Sequence, residues 1–404
     1  MHRRTTRQVR IGGLVIGGGA PVAIQSMTST HTHDVDATVA QIRQLAAVGC
    51  DLVRVAVPAR KDTEALPAIL DQSPVPVIAD VHYHYERALE AVEAGVHKIR
   101  LNPGNIGDRA EVDRVIAACR ERGIPIRVGV NEGSVVERTD QQRRAQQKDA
   151  LSRDQHGQLI RLMVETLEDY LRIFEEHDFR DVVLSAKSID ATIVIDAYRA
   201  IAQRFDLPLH LGLTHAGPPE TGRIRSIASL GTLLAEGIGD TIRISYASDP
   251  VHEVEDAKEL LCSLKLRNRV EPELIACPTC GRIEVDLVKL VGEVRQKLAA
   301  EIHLPIKVAV MGCVVNGPGE CEARTWPSSP AAARGSSTFR ASSGRPSPRT
   351  ACSTPSSTSA ANWPPGSSGG KPRWPPASSP SSRRVRCPGP DARQCSMYWM
   401  PSDR

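Results

Sequence analysis

Three cysteines have the spacing of a metal site. Cys277 and Cys280 lie in C-P-T-C-G-R, and Cys313 lies in M-G-C-V-V-N-G-P-G-E. A CxxC pair is a chelate bite shared by zinc sites, iron–sulfur sites and redox thiols. A third cysteine 33 residues on, in a glycine turn after the apolar run IKVAVMG, points to a metal. A structural zinc wants a fourth Cys or His, and the residues downstream offer Cys321 and Glu320. A 4Fe-4S cluster can take three thiolates and leave one iron for a weaker ligand, which suits catalysis. Spacing alone leaves iron–sulfur, zinc and redox thiols open, in that order. Cys50, Cys119 and Cys262 fall in helical patterns or at element boundaries and read as core thiols.

A second group is cationic. Arg54, Arg100, Arg127 and Lys187 each sit at or near the end of a short apolar run, and Arg243 follows the same pattern. Beside them stand Gln25, Ser26, Asp80, His82, Asn102, Asn131, Thr214, His215 and Ser245. Any one of these cations would read as a rim salt bridge. Four or five converging on one mouth repel each other unless an anion binds there. Phosphate or diphosphate is the natural partner, because guanidinium forks match its oxygens. N-P-G-N at 102–105 is a turn able to aim backbone N–H groups inward.

Those positions require a scaffold that gathers run ends. The runs are 21–27, 51–57, 76–81, 98–102, 125–131, 181–187, 208–214 and 241–246. Helical patterns alternate with them. One spans 34–48, with Asp34 as N-cap and Gly49 as stop; others span 84–94, 108–121 and 155–177. Eight β-then-α units predict a TIM barrel, an α/β fold whose active sites lie at the strand C-termini. A doubly wound open sheet is the runner-up, but eight regular units favour closure.

The 404 residues allow two or three domains, and 41% hydrophobic with 24% charged residues fits a soluble globular protein. No run approaches 18 apolar residues, so no membrane span is expected. The start, MHRRTTRQVR, is basic but no apolar h-region follows, so a secretory signal is not expected and the cytoplasm is the expected location. The net charge of +4 conceals two parts. Residues 321–404 hold 12 Lys+Arg against 3 Asp+Glu, while residues 1–320 hold 39 against 44. A mildly acidic body argues against nucleic acid as its partner.

The last 84 residues contain no Leu or Ile, one Val, 19 Ser and 14 Pro, together with all four tryptophans. Such a segment is expected to be disordered. Ser, Pro, Arg, Ala and Trp are also what a GC-rich gene yields out of frame. Thr325–Ala333 reads T-W-P-S-S-P-A-A-A. With G at every wobble base and the frame moved back by one, it becomes D-V-A-V-V-A-G-G-G, a strand ending in a glycine turn. The expected organisation is a barrel at 1–265, a partial cluster domain at 266–324 and an out-of-frame tail at 325–404.

The motifs APVAIQSMT, DLVRVAVP, VIADVH, IRLNPGNIG, IPIRVGVNEGS, LHLGLT, LLAEGIGDTIRIS, CPTCGR and MGCVVNGPGE, from about residue 4 to Glu320, resemble the bacterial hydroxymethylbutenyl diphosphate synthases. No domain intervenes between barrel and cysteines, as in the two-domain form. The resemblance implies reductive opening of methylerythritol cyclodiphosphate with loss of water. It implies electrons from flavodoxin or ferredoxin. It implies a 4Fe-4S cluster on Cys277, Cys280, Cys313 and Glu320, the carboxylate being an exchangeable ligand. It implies diphosphate binding at Arg54, Arg100, Arg127, Lys187 and Ser245, with Asn102 and Asn131 beside them. It implies a homodimer in which one cluster domain closes over the partner's barrel, if that domain is intact. Two departures stand out. T-H-A-G replaces the family's T-E-A-G, putting His215 where a glutamate serves in acid/base work. The cluster domain should continue some 40 residues past Glu320, and here the tail replaces it. A chain with that domain incomplete is expected to be impaired or inactive.

Two other readings differ in class. A pterin- or corrinoid-linked barrel gives no reason for CPTC and MGC. A zinc-stabilised binding protein with a basic nucleic-acid tail is supported only by that tail's charge.

Overall fold

The computed structural model describes residues 2–82, 84–101, 108–132, 153–283, 285–302 and 304–312. Within the tail it describes the strand segments 337–340, 384–385 and 396–401. The chain divides into two compact units, Met1–Asn268 and Arg269–Arg404.

The first unit opens with a hairpin, β1 (Val9–Ile11) and β2 (Leu14–Ile16). Eight parallel strands follow. They are β3 (Ala23–Met27), β4 (Leu52–Ala56), β5 (Val77–Asp80), β6 (Lys98–Leu101), β7 (Ile126–Asn131), β8 (Val182–Lys187), β9 (His210–Leu211) and β10 (Thr241–Ile242). Their spatial order is β8-β7-β6-β5-β4-β3-β10-β9. A parallel bridge from Leu184 to Leu209 joins β8 to β9 and closes the ring. The expected barrel is the observed one.

The helices are α1 (Val35–Ala47), α2 (Arg60–Gln72), α3 (Tyr85–Ala94), α4 (Arg109–Arg122), α5 (Arg153–Glu176), α6 (Ala191–Arg204), α7 (Pro219–Ala235) and α8 (Pro250–Ser263). Their ends follow local chemistry. Asp34 accepts from the Ala37 N–H at the start of α1, and Asp108 accepts from the Ala110 N–H at the start of α4. Gly95 and Gly123 end α3 and α4 at φ 89° and 64°, where a side chain would be strained.

Strand alternation sorts the chemistry. Val53, Val55, Val77, Ala79, Ile99, Leu101, Ile126, Val128 and Val130 are buried and join the core shared with the helices. The alternate positions hold Arg54, Asp80, Lys98, Arg100 and Arg127, all buried as well, inside the ring. The hairpin closes the opposite end. Val9, Ile11 and Ile16 pack with Ala23, Leu52, Ile78 and Val183, the first inward residues of four strands. The sequence reading did not foresee this plug. It also expected longer seventh and eighth strands. The regular strands end at Leu211 and Ile242, beyond which the Arg243 N–H still donates to the Leu211 carbonyl at 2.9 Å.

The second unit is built on β11 (Glu273–Ala276), α9 (Leu287–Glu301) and β12 (Ile306–Met311). β11 and β12 are parallel, joined through α9. Cys277, Leu287, Leu290, Val294, Ile306, Val308, Val310 and Met311 form the core of this unit. Three strand segments of the tail are among the described residues. These are β13 (Ser337–Arg340), β14 (Arg384–Val385) and β15 (Ser396–Pro401). β15 pairs antiparallel with β12 from Ile306↔Pro401 to Met311↔Ser396, and the sheet order is β11-β12-β15-β13-β14. The physical reason is the edge of β12, whose unpaired N–H and C=O groups accept any extended partner. S-M-Y-W-M-P carries two adjacent strand-forming aromatics, Tyr398 and Trp399.

Candidate active site at the barrel mouth

Six strands deliver charge to one interior. Asp80 ends β5, and its carboxylate lies 3.4 Å from Arg54 Nε and 3.4 Å from Arg100 Nη1. His82 Nε2 is 3.6 Å from the same carboxylate, and its Nδ1 is 3.0 Å from Arg100 Nη1. Burial would push the Asp80 carboxyl up, but the Arg54, His82 and Arg100 groups outweigh it and hold it well below the usual range. Asp80 therefore stays ionised and fixes two arginines.

The other cations have less to hold. Arg127 on β7 is the largest fully buried side chain, and its Nε and Nη1 have no hydrogen-bond partner. Burial and the Arg54 and Arg100 charges oppose its own charge. A guanidinium does not answer by losing its proton, so this environment favours an anion. Lys187 ends β8, partly exposed; burial of its ammonium and the Arg127, Arg54, Arg243 and Arg100 charges lower its pKa well below the ordinary value. Arg243, just past β10, reaches the Met27 sulfur at 3.5 Å and Glu253 Oε2 at 3.8 Å. Burial and Arg54 lower its pKa to about 10.

Glycine makes room among them. A Cβ at Gly212 would stand 2.9 Å from the Arg243 carbonyl and 3.2 Å from Lys187 Nζ. A Cβ at Gly129 would stand 2.5 Å from Ser185 Oγ.

The remaining expected residues divide. Asn131 ends β7 as the register partner of Lys187, so it shares their rim. Ser245 Oγ donates to the Leu213 carbonyl at 3.3 Å. His215 lies past β9, exposed, at φ 52°, with its Nδ1 3.3 Å from Thr214 Oγ1. A non-glycine residue in that conformation is uncommon and often functional. Asn102 lies outside the described residues.

The cysteines belong to the second unit. Cys277 follows β11 directly, and its N–H donates to the Val310 carbonyl of β12 at 3.0 Å. Parallel pairing thus places the start of C-P-T-C at the end where β12 runs out toward residue 313. Cys277 is buried and Cys280 exposed. Backbone and side-chain hydrogen bonds from Arg282 lower the Cys280 thiol's pKa, which favours the thiolate a metal needs. These two residues fit a thiolate-held cluster. Cys313 and Glu320 lie outside the described residues, and no group of three or more metal-ligating side chains occurs among the described ones.

Sequence reasoning noticed Asp80 and Arg243 at strand ends without assigning them roles. It missed Lys98, His210 and Glu253. The period-two pattern carried the first two, since Lys98 precedes Arg100 by two and His210 precedes Gly212 by two. Glu253 gave no such signal, because helix packing turns it inward.

A closed eight-stranded barrel with five converging cations and one shared carboxylate defines a (β/α)8 protein with a cationic mouth. The comparisons narrow the class. The GcpE TIM-barrel domain matches residues 6–258, and the GcpE protein C-terminal domain matches residues 273–339. This chain belongs to the GcpE family. The C-terminal match runs past Arg324 and stops short of β14. A relative from Geobacillus kaustophilus is 48% identical over 320 residues, covering 79% of this chain and 82% of the relative. One from Halalkalibacterium halodurans is 47% identical over 320 residues, covering 79% and 83%. Both are named 4-hydroxy-3-methylbut-2-en-1-yl diphosphate synthase (flavodoxin). Among solved structures, a dihydropteroate synthase from Stenotrophomonas maltophilia is 16% identical with a TM-score of 0.48, covering 64% of this chain and 97% of that one.

Proposed function

We propose that this chain is an iron–sulfur oxidoreductase of isoprenoid biosynthesis. Its reaction reductively opens 2-C-methyl-D-erythritol 2,4-cyclodiphosphate and expels water, giving 4-hydroxy-3-methylbut-2-enyl diphosphate. The observation that carries this reading is the mouth, where Arg127 is fully buried with two guanidinium nitrogens unpartnered. In this reading Arg54, Arg100, Arg127 and Lys187 grip the diphosphate, and Ser245, Asn131 and Asn102 orient it. His215 delivers a proton to the departing hydroxyl, since imidazole titrates near neutrality. Cys277, Cys280, Cys313 and Glu320 would hold a 4Fe-4S cluster. When bound, that cluster would pass on the donor's two electrons one at a time and offer a Lewis-acidic iron. Flavodoxin, which the relatives' names carry, is the proposed donor, with ferredoxin as the alternative. A homodimer and a cytoplasmic location complete the reading. No described helix is long and apolar enough to cross a membrane.

We further propose that the reading frame shifts near Arg324. The relatives align over about 320 residues and leave roughly a fifth of their own length unmatched. The match of the C-terminal domain to residue 339 sets a limit on this proposal.

Titration of the chain with the cyclodiphosphate tests the site. A charge-assisted bond is worth about 1.5–3 kcal/mol, so Arg100→Ala should weaken binding roughly tenfold or more. Unchanged affinity would overturn the assignment.

A further inference from the structure

Lys98 has no role in the diphosphate grip described above. It stands on β6 two residues before Arg100, on the same inward side, with no exposed surface. Its Nζ has no hydrogen-bond partner and makes no ion pair with any described carboxylate.

The surrounding strands explain why. The inward positions bring Gln25 from β3, Arg54 from β4, Ile78 and Asp80 from β5, and Arg127 from β7. They also bring Val183 and Lys187 from β8, His210 from β9, and Thr241 and Arg243 from β10. Asp80 is already shared by Arg54 and Arg100, and Glu253 lies by Arg243. His210 is fully buried, its Nδ1 2.9 Å from Thr241 Oγ1 and its Nε2 unpartnered. Burial, followed by the Arg127, Lys187 and Arg54 charges, lowers its pKa well below the ordinary value, so it is neutral. Nothing here compensates a charge on Lys98.

We propose that Lys98 is a neutral amine in the ligand-free barrel and takes up a proton when an anion fills the mouth. Diphosphate binding and proton uptake are then one coupled event. The inference rests on the diphosphate reading and adds the state of a residue beneath it. Desolvation, then Arg127 and Arg54, lowers the Lys98 pKa well below its ordinary value. An arriving diphosphate cancels the arginine charges, and the amine becomes basic again. By linkage, affinity for the anion falls as pH rises between the free and bound pKa values of Lys98. The device lets five other cations share one interior without a sixth charge until ligand arrives.

Calorimetry of the full chain with the cyclodiphosphate, in two buffers of different ionisation enthalpy, measures the uptake. The titration is run at about pH 8.5, two units above the ordinary imidazole value. Lys98→Met should lower the uptake by about one proton. Methionine suits the apolar site, and Lys98→Gln is the second variant should the first fold poorly. Equal uptake in variant and wild type overturns the proposal. The 13Cε resonance of Lys98, assigned by its loss in the variants, reports the amine directly. A neutral amine without ligand and an ammonium with it support the proposal; the same state in both, or an ammonium without ligand, overturns it. If the cyclodiphosphate fails to bind, the diphosphate reading falls separately, and an ammonium in the free chain would still overturn this one.

Discussion

The two units meet the same problem, the unpaired edge of a sheet, in opposite ways. The barrel closes its strands on one another through Leu184 and Leu209, and a hairpin plugs one end. The inward side of the strands is apolar against the hairpin and charged toward the mouth, and the outward side is aliphatic against the helices, so alternation, pairing and burial agree. The second unit leaves β12 with an edge that residues 396–401 occupy, from a tail with no Leu or Ile. The contrast teaches that a strand edge takes a partner by backbone chemistry alone, whereas a site needs the shell behind it. The barrel's arginines have that shell in the strands and helices around them.

Repairing the weaker unit should give the largest effect. A chain reframed after Arg324 should gain iron, sulfide and reductive activity, while the present chain purified anaerobically should carry little of any. A metal site without its supporting shell loses ligand orientation and water exclusion. Close to four irons per subunit and turnover in the present chain would show that the tail is genuine.

The next effect lies at the mouth. In the reframed chain, His215→Ala should lower turnover by about 10²–10⁴-fold, the range of a lost general acid. His215→Glu should retain or raise activity, since the family pattern has glutamate there. Wild-type turnover in the alanine variant would make His215 a rim residue.

The smallest effect sharpens how the barrel tolerates its own charges. Burial raises the Glu253 carboxyl to about 7 against an ordinary 4.5, and Arg243 at 3.8 Å does not reverse it. The folded barrel then binds a proton that the unfolded chain has released, so stability falls as pH rises from 4.5 to 7. The loss is about 3–4 kcal/mol at most. Thermal melts of Glu253→Gln should show a flatter slope across that window, while equal slopes would mean Glu253 is ionised throughout.

Much of the fold was legible because it rests on local rules. Asp34 and Gly49 announced the ends of the first helix, and valine and isoleucine at alternate positions announced buried strands. The cationic mouth was legible for the same reason: in a barrel, strand ends converge whatever the loops do. The plug at Val9–Ile16 was not legible, because a short hairpin carries no sign of what it covers.

The sequence by itself determined the barrel, its eight strands, the arginines and lysine at their ends, and the cysteine spacing. All of these follow from periodicity and residue type along the chain. Only the tertiary structure decided which charges share one interior. It set Asp80 between Arg54 and Arg100, left Lys98 and Arg127 without partners, and turned Glu253 from a helix toward Arg243. The reason is physical. Propensity and periodicity act between near neighbours in the chain, whereas desolvation and Coulomb forces act between residues that only the closed ring brings together.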